Sequence, residues 1–240
     1  MENTIYIALS RMTALRRQMD IVANNVANMN TTGFKGEQVL FEEYIERPQD
    51  KEPTSYVRDF GMLRDLTNGP ITPTLRPLDV AIEGDGYFAL AGPDGELYSR
   101  NGAFTLNADG ELTHVSGFPV LGDNGQPIVI EDQTDRPSID AAGVITDASG
   151  LEVGRLDIVT FEDERELRSI GAGLYTTELA PVPAEDFVLT QYALEGSNVN
   201  AITEMTKMMG LLRQYQSTQQ MIDRNDSLDR KSISRIGQPV

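Results

Sequence analysis

The chain has 240 residues, 40% of them apolar and none of them Cys. That length and apolar content suffice for a substantial core, and the lack of Cys excludes disulfides, thiol nucleophiles and thiolate metal sites. The net charge of −17 is concentrated in residues 36–195, which carry 10 Lys/Arg against 31 Asp/Glu, while each end is slightly basic. A chain so charged lacks the basic face that nucleic-acid binding requires, and no stretch approaches a transmembrane length, so neither nucleic acid nor lipid is an expected partner.

From Ile5 to Met29 the apolar residues fall in heptads. Ile5, Met12, Met19 and Val26 occupy one position, and Ala8, Leu15, Val22 and Met29 the other. Uninterrupted by Pro or Gly, this spacing predicts a helix of about 25 residues and about 38 Å. A two-position seam is narrower than the apolar face of a globular helix and reads as half of a coiled coil; an amphipathic core helix is the alternative. A membrane-surface helix would need a wider apolar face and a more basic polar one than Arg11, Arg16 and Arg17 supply. Ile5–Leu9 is too short for the apolar core of a signal peptide.

The helix runs into Asn24, Asn25, Asn28 and Asn30, a costly choice because the Asn amide competes for backbone groups. Asn24, Asn25 and Asn28 lie off the seam, with 24/28 and 25/28 at neighbour spacing. They read as a strip of donors and acceptors aimed at neighbouring chains, with Gly33 ending the helical region. Residues 36–80 hold five Pro and fragments such as Gln38-Val39-Leu40-Phe41, which predicts an extended connector with short strands.

From Leu78 the period becomes that of strands. Asp94-Gly95-Glu96-Leu97 recurs as Asp109-Gly110-Glu111-Leu112 and again, weakly, as Asn124-Gly125-Gln126-Pro127. Asp-Gly and Asn-Gly between alternating apolar residues signal type I′ hairpins, so the middle is expected to be an antiparallel meander. Helix returns after Pro181 and Pro183, capped by Ser197, Asn198 or Asn200. Its seam is expected at Ile202, Met205, Met209 and Leu212, then Tyr215, Gln219 and Ile222, widened by Met208 and Leu211. Helix is not expected to persist far beyond Ile222, where the pattern turns polar.

A catalytic reading has little support. His114, the single His, is expected at the surface or half-buried, and no nucleophile elbow accompanies it. Glu83 and Asp85 flank Gly84 and could be drawn as a carboxylate pair for glycoside hydrolysis; a secreted carbohydrate-active enzyme is thus a competing reading. Gly84-Asp85-Gly86 lacks the further Gly spacing, Lys and helix of a phosphate loop. The seams argue for assembly: leaving six or seven such residues per helix in water would forgo about 10–20 kcal/mol. Met12, Met19, Met29, Met205, Met208 and Met209 suit an interface that must adapt to non-identical neighbours.

Three stretches resemble the hallmark segments of the bacterial flagellar rod, hook and hook-associated axial proteins. They are Ala23 to Lys35, Leu78-Asp79-Val80-Ala81-Ile82-Glu83-Gly84-Asp85-Gly86-Tyr87-Phe88, and Leu194 to Asn200 with Glu204-Met205. Their order and spacing match over nearly the whole chain. The wording Gly-Asp-Gly-Tyr-Phe and the tail Ser234–Pro239 are most similar to the proximal rod branch; a distal rod or hook-type subunit is the alternative.

The resemblance implies an α+β fold. Residues 1–34 and 197–240 would form a coiled-coil inner domain, 35–79 an extended connector, 80–180 an all-β outer domain and 181–196 a return connector. It implies a structural subunit of the flagellar basal body that assembles helically with copies of itself and with neighbouring rod proteins in the periplasm, with no catalytic residue, cofactor or metal. It also implies export by the flagellar type III apparatus without a cleaved leader. Expected assembly positions are Asn24, Asn25, Asn28, Thr32, Gly33 and Phe34, and Ser197, Asn198, Val199 and Asn200. The seam residues Ile5, Met12, Leu15, Met19, Val22, Val26, Ile202, Met205, Met209 and Leu212 join them.

Overall fold

The computed structural model describes residues 2–46, 54–130, 137–147 and 149–236. They form two compact units, one from Met1–Ala27, Glu37–Leu63 and Asn200–Val240, the other from Asn28–Gly36 and Arg64–Val199.

The first unit holds α1 (Glu2–Ala27), the paired strands β1 (Glu37–Glu46) and β2 (Thr54–Arg64, whose last residue belongs to the second unit), and α2 (Ala201–Ile236). These strands are longer than the short ones expected of a connector. Pairing in a two-stranded ribbon lets each satisfy the other's backbone groups. α1 packs along α2 and also meets β1. Its seam faces inward as expected, with Ala8, Leu15 and Val22 buried together with Ile21, and Met12, Met19 and Val26 half-buried. The side chain of Ile5 lies outside the described residues. Helix α2 continues well past Ile222, through a segment that lacks Gly and Pro up to Gly237 and is braced by an Arg230–Asp226 pair at 2.9 Å. Such i,i+4 pairs support helix without any apolar seam.

The second unit is antiparallel β structure. Its strands are β3 (Ile71–Pro73), β4 (Val80–Gly84), β5 (Tyr87–Gly92), β6 (Gly95–Ser99), β7 (Phe104–Leu106), β8 (Leu112–His114), β9 (Ser138–Ile139), β10 (Val144–Thr146), β11 (Glu152–Arg155), β12 (Ile158–Thr160), β13 (Arg168–Gly171), β14 (Leu174–Thr176), β15 (Val182–Pro183), β16 (Phe187–Gln191) and β17 (Ala193–Glu195). The largest sheet runs β13-β14-β6-β5-β12-β15. Strand β5 is apolar without alternation because both its faces are covered. Phe88 and Leu90 enter the main core with Val80, Ile82, Phe104 and Leu112. Tyr87 and Ala89 enter a second, aromatic core with Tyr98, Phe161 and Tyr175, whose rings meet edge-on or tilted at 4.8–6.2 Å.

The hairpin turns differ from the type I′ expectation. In β5–β6, Gly92 pairs with Gly95, which places Pro93 and Asp94 in the loop; only glycines have positive φ there, and Pro93 cannot supply the positive φ that type I′ requires. The β7–β8 loop closes otherwise. Asn107 Oδ1 accepts from the Asp109 and Glu111 N–H groups, Asn107 O from the Gly110 N–H, and Gly110 alone is left-handed, at φ +81. Asp140 and Asp147 repeat this pattern, with Gly143 at φ +88 and Gly150 at φ +82. His114 joins the set: its Nδ1 accepts from Ser116 N–H at 3.1 Å and its carbonyl from Gly117 N–H. His114 is therefore a turn residue, 1% exposed, rather than a surface or half-buried one. Burial holds its pKa down at about 4, with the Asn101 backbone pulling the other way.

Candidate assembly site

In the first unit Asn25 is 4% exposed and faces inward. Its Nδ2 donates to Glu37 O at 2.9 Å and its Oδ1 accepts from Glu37 N–H at 2.9 Å, so the amide pairs with the start of β1 as a strand would. The same Nδ2 reaches Glu204 Oε2 at 3.3 Å, and Lys207 Nζ donates to Glu204 Oε1. The amide expected to face other chains is thus engaged within its own. Asn24 is exposed on the helix surface, as expected of a residue off the seam. Asn200 is the cap of α2: its side chain accepts from Thr203 N–H at 3.1 Å and its carbonyl from Glu204 N–H at 3.0 Å.

Helix α2 carries two stripes at alternating three- and four-residue spacing. Glu204 and Thr218 are buried and Met208, Leu211, Tyr215 and Ile222 half-buried, and they form the stripe turned inward. The expected seam divides between the two stripes: Tyr215 and Ile222, with Met208 and Leu211 that widen it, lie on the inward one, and its first four residues lie on the other. Ile202, Met205, Met209 and Leu212 are 78%, 47%, 53% and 43% exposed. Both satisfy helical periodicity, and the hydrogen bonds from Asn25 and Lys207 to Glu204 stabilise the first of them within the chain.

The other motif residues lie in the second unit. Asn28 and Thr31 close a turn through Thr31 N–H to Asn28 O at 3.0 Å and Thr31 Oγ1 to Asn28 Oδ1 at 3.1 Å, followed by half-buried Thr32 and buried Phe34. Gly33, at φ +68, donates to Glu195 O, and a Cβ there would stand 2.6 Å from the Arg100 backbone. Asn198 Oδ1 accepts from Gly36 N–H at 2.8 Å, and its Nδ2 donates to Asp65 O and Thr67 O, both at 2.9 Å. Ser197 Oγ accepts from half-buried Val199. The amide of Asn198, like that of Asn25, therefore bonds within the chain.

These segments converge on a charge cluster that sequence reasoning missed. Lys35 Nζ, Arg100 Nε and the Glu195 carboxylate pair at 2.8 and 2.7 Å, with side chains 3%, 3% and 1% exposed. Glu195 Oε1 also accepts from Gly69 N–H. Two cations face one anion, and the remaining acceptors are the Asn68 side-chain oxygen, which accepts from both cations, and backbone carbonyls: Leu66 and Thr67 for Lys35, and Ile82, Gly84 and Gly86 for Arg100. Burial lowers the pKa of Lys35, opposed by its hydrogen bond and charge interaction with Glu195. The Gly-Asp-Gly wording is thereby explained. Gly84 and Gly86 have φ of +103 and +139. A Cβ would meet Asp186 O at 2.4 Å or the Ile158 side chain at 2.6 Å. The only sequence signal was the place of Lys35 and Glu195 inside the motif stretches.

The residues drawn as a carboxylate pair are exposed, and Glu83 accepts from the Thr190 hydroxyl at 2.8 Å.

Three family models match the chain: "Flagella basal body rod protein" over residues 5–35, "Flagellar hook protein FlgE/F/G D1 domain" over 81–147, and "Flagellar basal body rod FlgEFG protein C-terminal" over 190–235. The chain is 38% identical to a flagellar basal-body rod protein FlgF of Caulobacter vibrioides and 31% identical to one of Mesorhizobium japonicum, with 99% of both chains covered in each case. It is 32% identical to a flagellar basal-body rod protein FlgG of Agrobacterium fabrum, covering 92% of this chain and 95% of that one.

Proposed function

The chain belongs to the flagellar basal-body rod protein family, as a rod protein of FlgF type, and from that premise we propose that it is the proximal rod subunit and polymerises through its terminal helices. It is a structural subunit of the bacterial flagellar basal body. Full-length alignment with FlgF relatives over 240 and 243 positions, against 258 for the FlgG relative, supports the proximal position.

The observation that carries the assembly reading is the exposed stripe Ile202, Met205, Met209 and Leu212. Large apolar side chains in a row on one helix face mark an interaction surface. In this reading residues 1–34 and 197–240 build a coiled-coil inner domain, 35–79 and 181–196 connect it, and 80–180 face outward. Asn25 and Asn198 act by holding the chain's own segments in the shape that assembles. Copies of the chain and neighbouring rod proteins are its partners, reached by passage through the flagellar export apparatus. The Cys-free sequence suits that route, since an unfolded chain cannot be trapped by thiol cross-links.

Immunogold labelling of a tagged chain in isolated basal bodies tests the position. Label in the part of the rod away from the hook is expected. Label beside the hook would assign the chain to the distal rod, and absence from basal bodies would refute both.

A further inference from the structure

Gly210 sits in the middle of α2, where glycine weakens a helix, yet a Cβ there would meet nothing within 4 Å. Among the described residues no contact requires a glycine there. Beside it lies a groove of about 390 Å³, floored by Ile21, Val22, Val39 and Leu211. Glu37, Gln38 and the ion-paired Glu204 and Lys207 also line it. The exposed ridge of Ile202, Met205, Met209 and Leu212 lies on another side of the same helix, roughly 150° around the axis from the groove-facing positions 207, 210 and 214 at 3.6 residues per turn.

We propose that the ridge of one copy of this chain docks into the Gly210 groove of a second copy, an arrangement that rests on the assembly reading above. Glycine at 210 then has a reason, since it lets the neighbour's side chains approach the α2 backbone closely. The charges agree: Arg213, exposed and hydrogen-bonded to Met209 O, flanks the ridge, and Glu37 lines the groove beside Glu204 and Lys207, which neutralise each other as an ion pair. Because ridge and groove lie on different sides of the helix, the contact cannot be its own mate. It is heterologous, so each added copy presents a fresh ridge or groove, and the series closes as a ring or continues as a helix. Four ridge residues fall far short of the roughly 20–30 residues a side of a stable pair. A single contact is therefore weak, and copies associate when several contacts form together.

The lack of Cys makes the test direct. Full-length chains carrying Met209→Cys, Gln38→Cys or both are treated, at high protein concentration, with a short bismaleimide. The double variant is expected to give a ladder of dimer, trimer and higher species, and each single variant no dimer. Adding Gly210→Leu to the double variant should reduce the ladder at least tenfold without lowering the melting temperature. Dimers of the Met209→Cys variant alone would show ridge pairing with ridge and overturn the proposal, as would a ladder that survives Gly210→Leu or a double variant that stays monomeric. A Gly210→Leu strain that swims with the chain in place in its rod would likewise overturn the groove contact while leaving the rod assignment intact.

Discussion

His114 gives the β unit a pH dependence whose size follows from the structure. The imidazole is 1% exposed, and its Nδ1 accepts from Ser116 N–H; protonation would put a proton on that acceptor and a charge in the core. The folded pKa of about 4 lies below the ordinary value of 6.5. The unfolded chain therefore binds the proton more tightly, and stability falls as pH drops through 6.5, levelling off below 4. At about 1.4 kcal/mol per pH unit, His114 costs about 2 kcal/mol at pH 5 and about 3 kcal/mol at the plateau. His114→Asn keeps the turn, because Asn107 does the same work in the β7–β8 loop, and it cannot titrate. Urea unfolding followed by tyrosine near-ultraviolet circular dichroism at pH 7.5 and 5.0 should show the unsubstituted chain losing about 2 kcal/mol more than the variant, other titrating groups cancelling in the comparison. As the single His, its ring proton resonance also reports the native pKa directly. A midpoint near 6.5, or equal losses in the two chains, would refute the reasoning.

Three further outcomes are expected. Glu195→Gln leaves the Lys35 and Arg100 cations buried without their anion and should destabilise the β unit by about 3–5 kcal/mol; a loss under about 1 kcal/mol in urea titration would mean the cluster is already solvated by its carbonyls. Gly33→Ala forces a side chain into left-handed backbone and against the Arg100 main chain, so a loss of about 2 kcal/mol or more is expected, and an unchanged melting temperature would contradict it. Asn25→Ala strips Glu37 of both side-chain partners and should cost about 1–3 kcal/mol locally. Hydrogen exchange should quicken at Glu37 while the β unit keeps its protection, and unchanged exchange at Glu37 would count against the clasp.

Much of this architecture can be read from residue pattern, and the exceptions share a cause. The heptad from Ala8 to Val26 has one apolar stripe to offer, so its inward face is legible. Helix α2 has two stripes of equal period, and Glu204 belongs to the inward one because Asn25 lies opposite it, 179 residues away in sequence. Lys35, Arg100 and Glu195 look like solvated charges until the fold brings together residues separated by 95 and 160 positions. The role of His114 was legible in principle, since His-Val-Ser-Gly repeats the spacing of Asn107-Ala-Asp-Gly, but imidazole is not the usual oxygen acceptor of such turns. The Asn25 amide lies off the seam yet faces inward, because helical periodicity reports the side of a helix and not what the returning chain lays against it.

The central claim, assembly through an apolar face that a single chain leaves open, is tested most directly by Met205→Glu/Met209→Glu introduced in place of the native chain in a motile cell. Both side chains are about half exposed, so the purified variant should melt with the unsubstituted protein. Its cells are expected to be non-motile, with basal bodies lacking a complete rod. Full motility with complete rods would contradict the account.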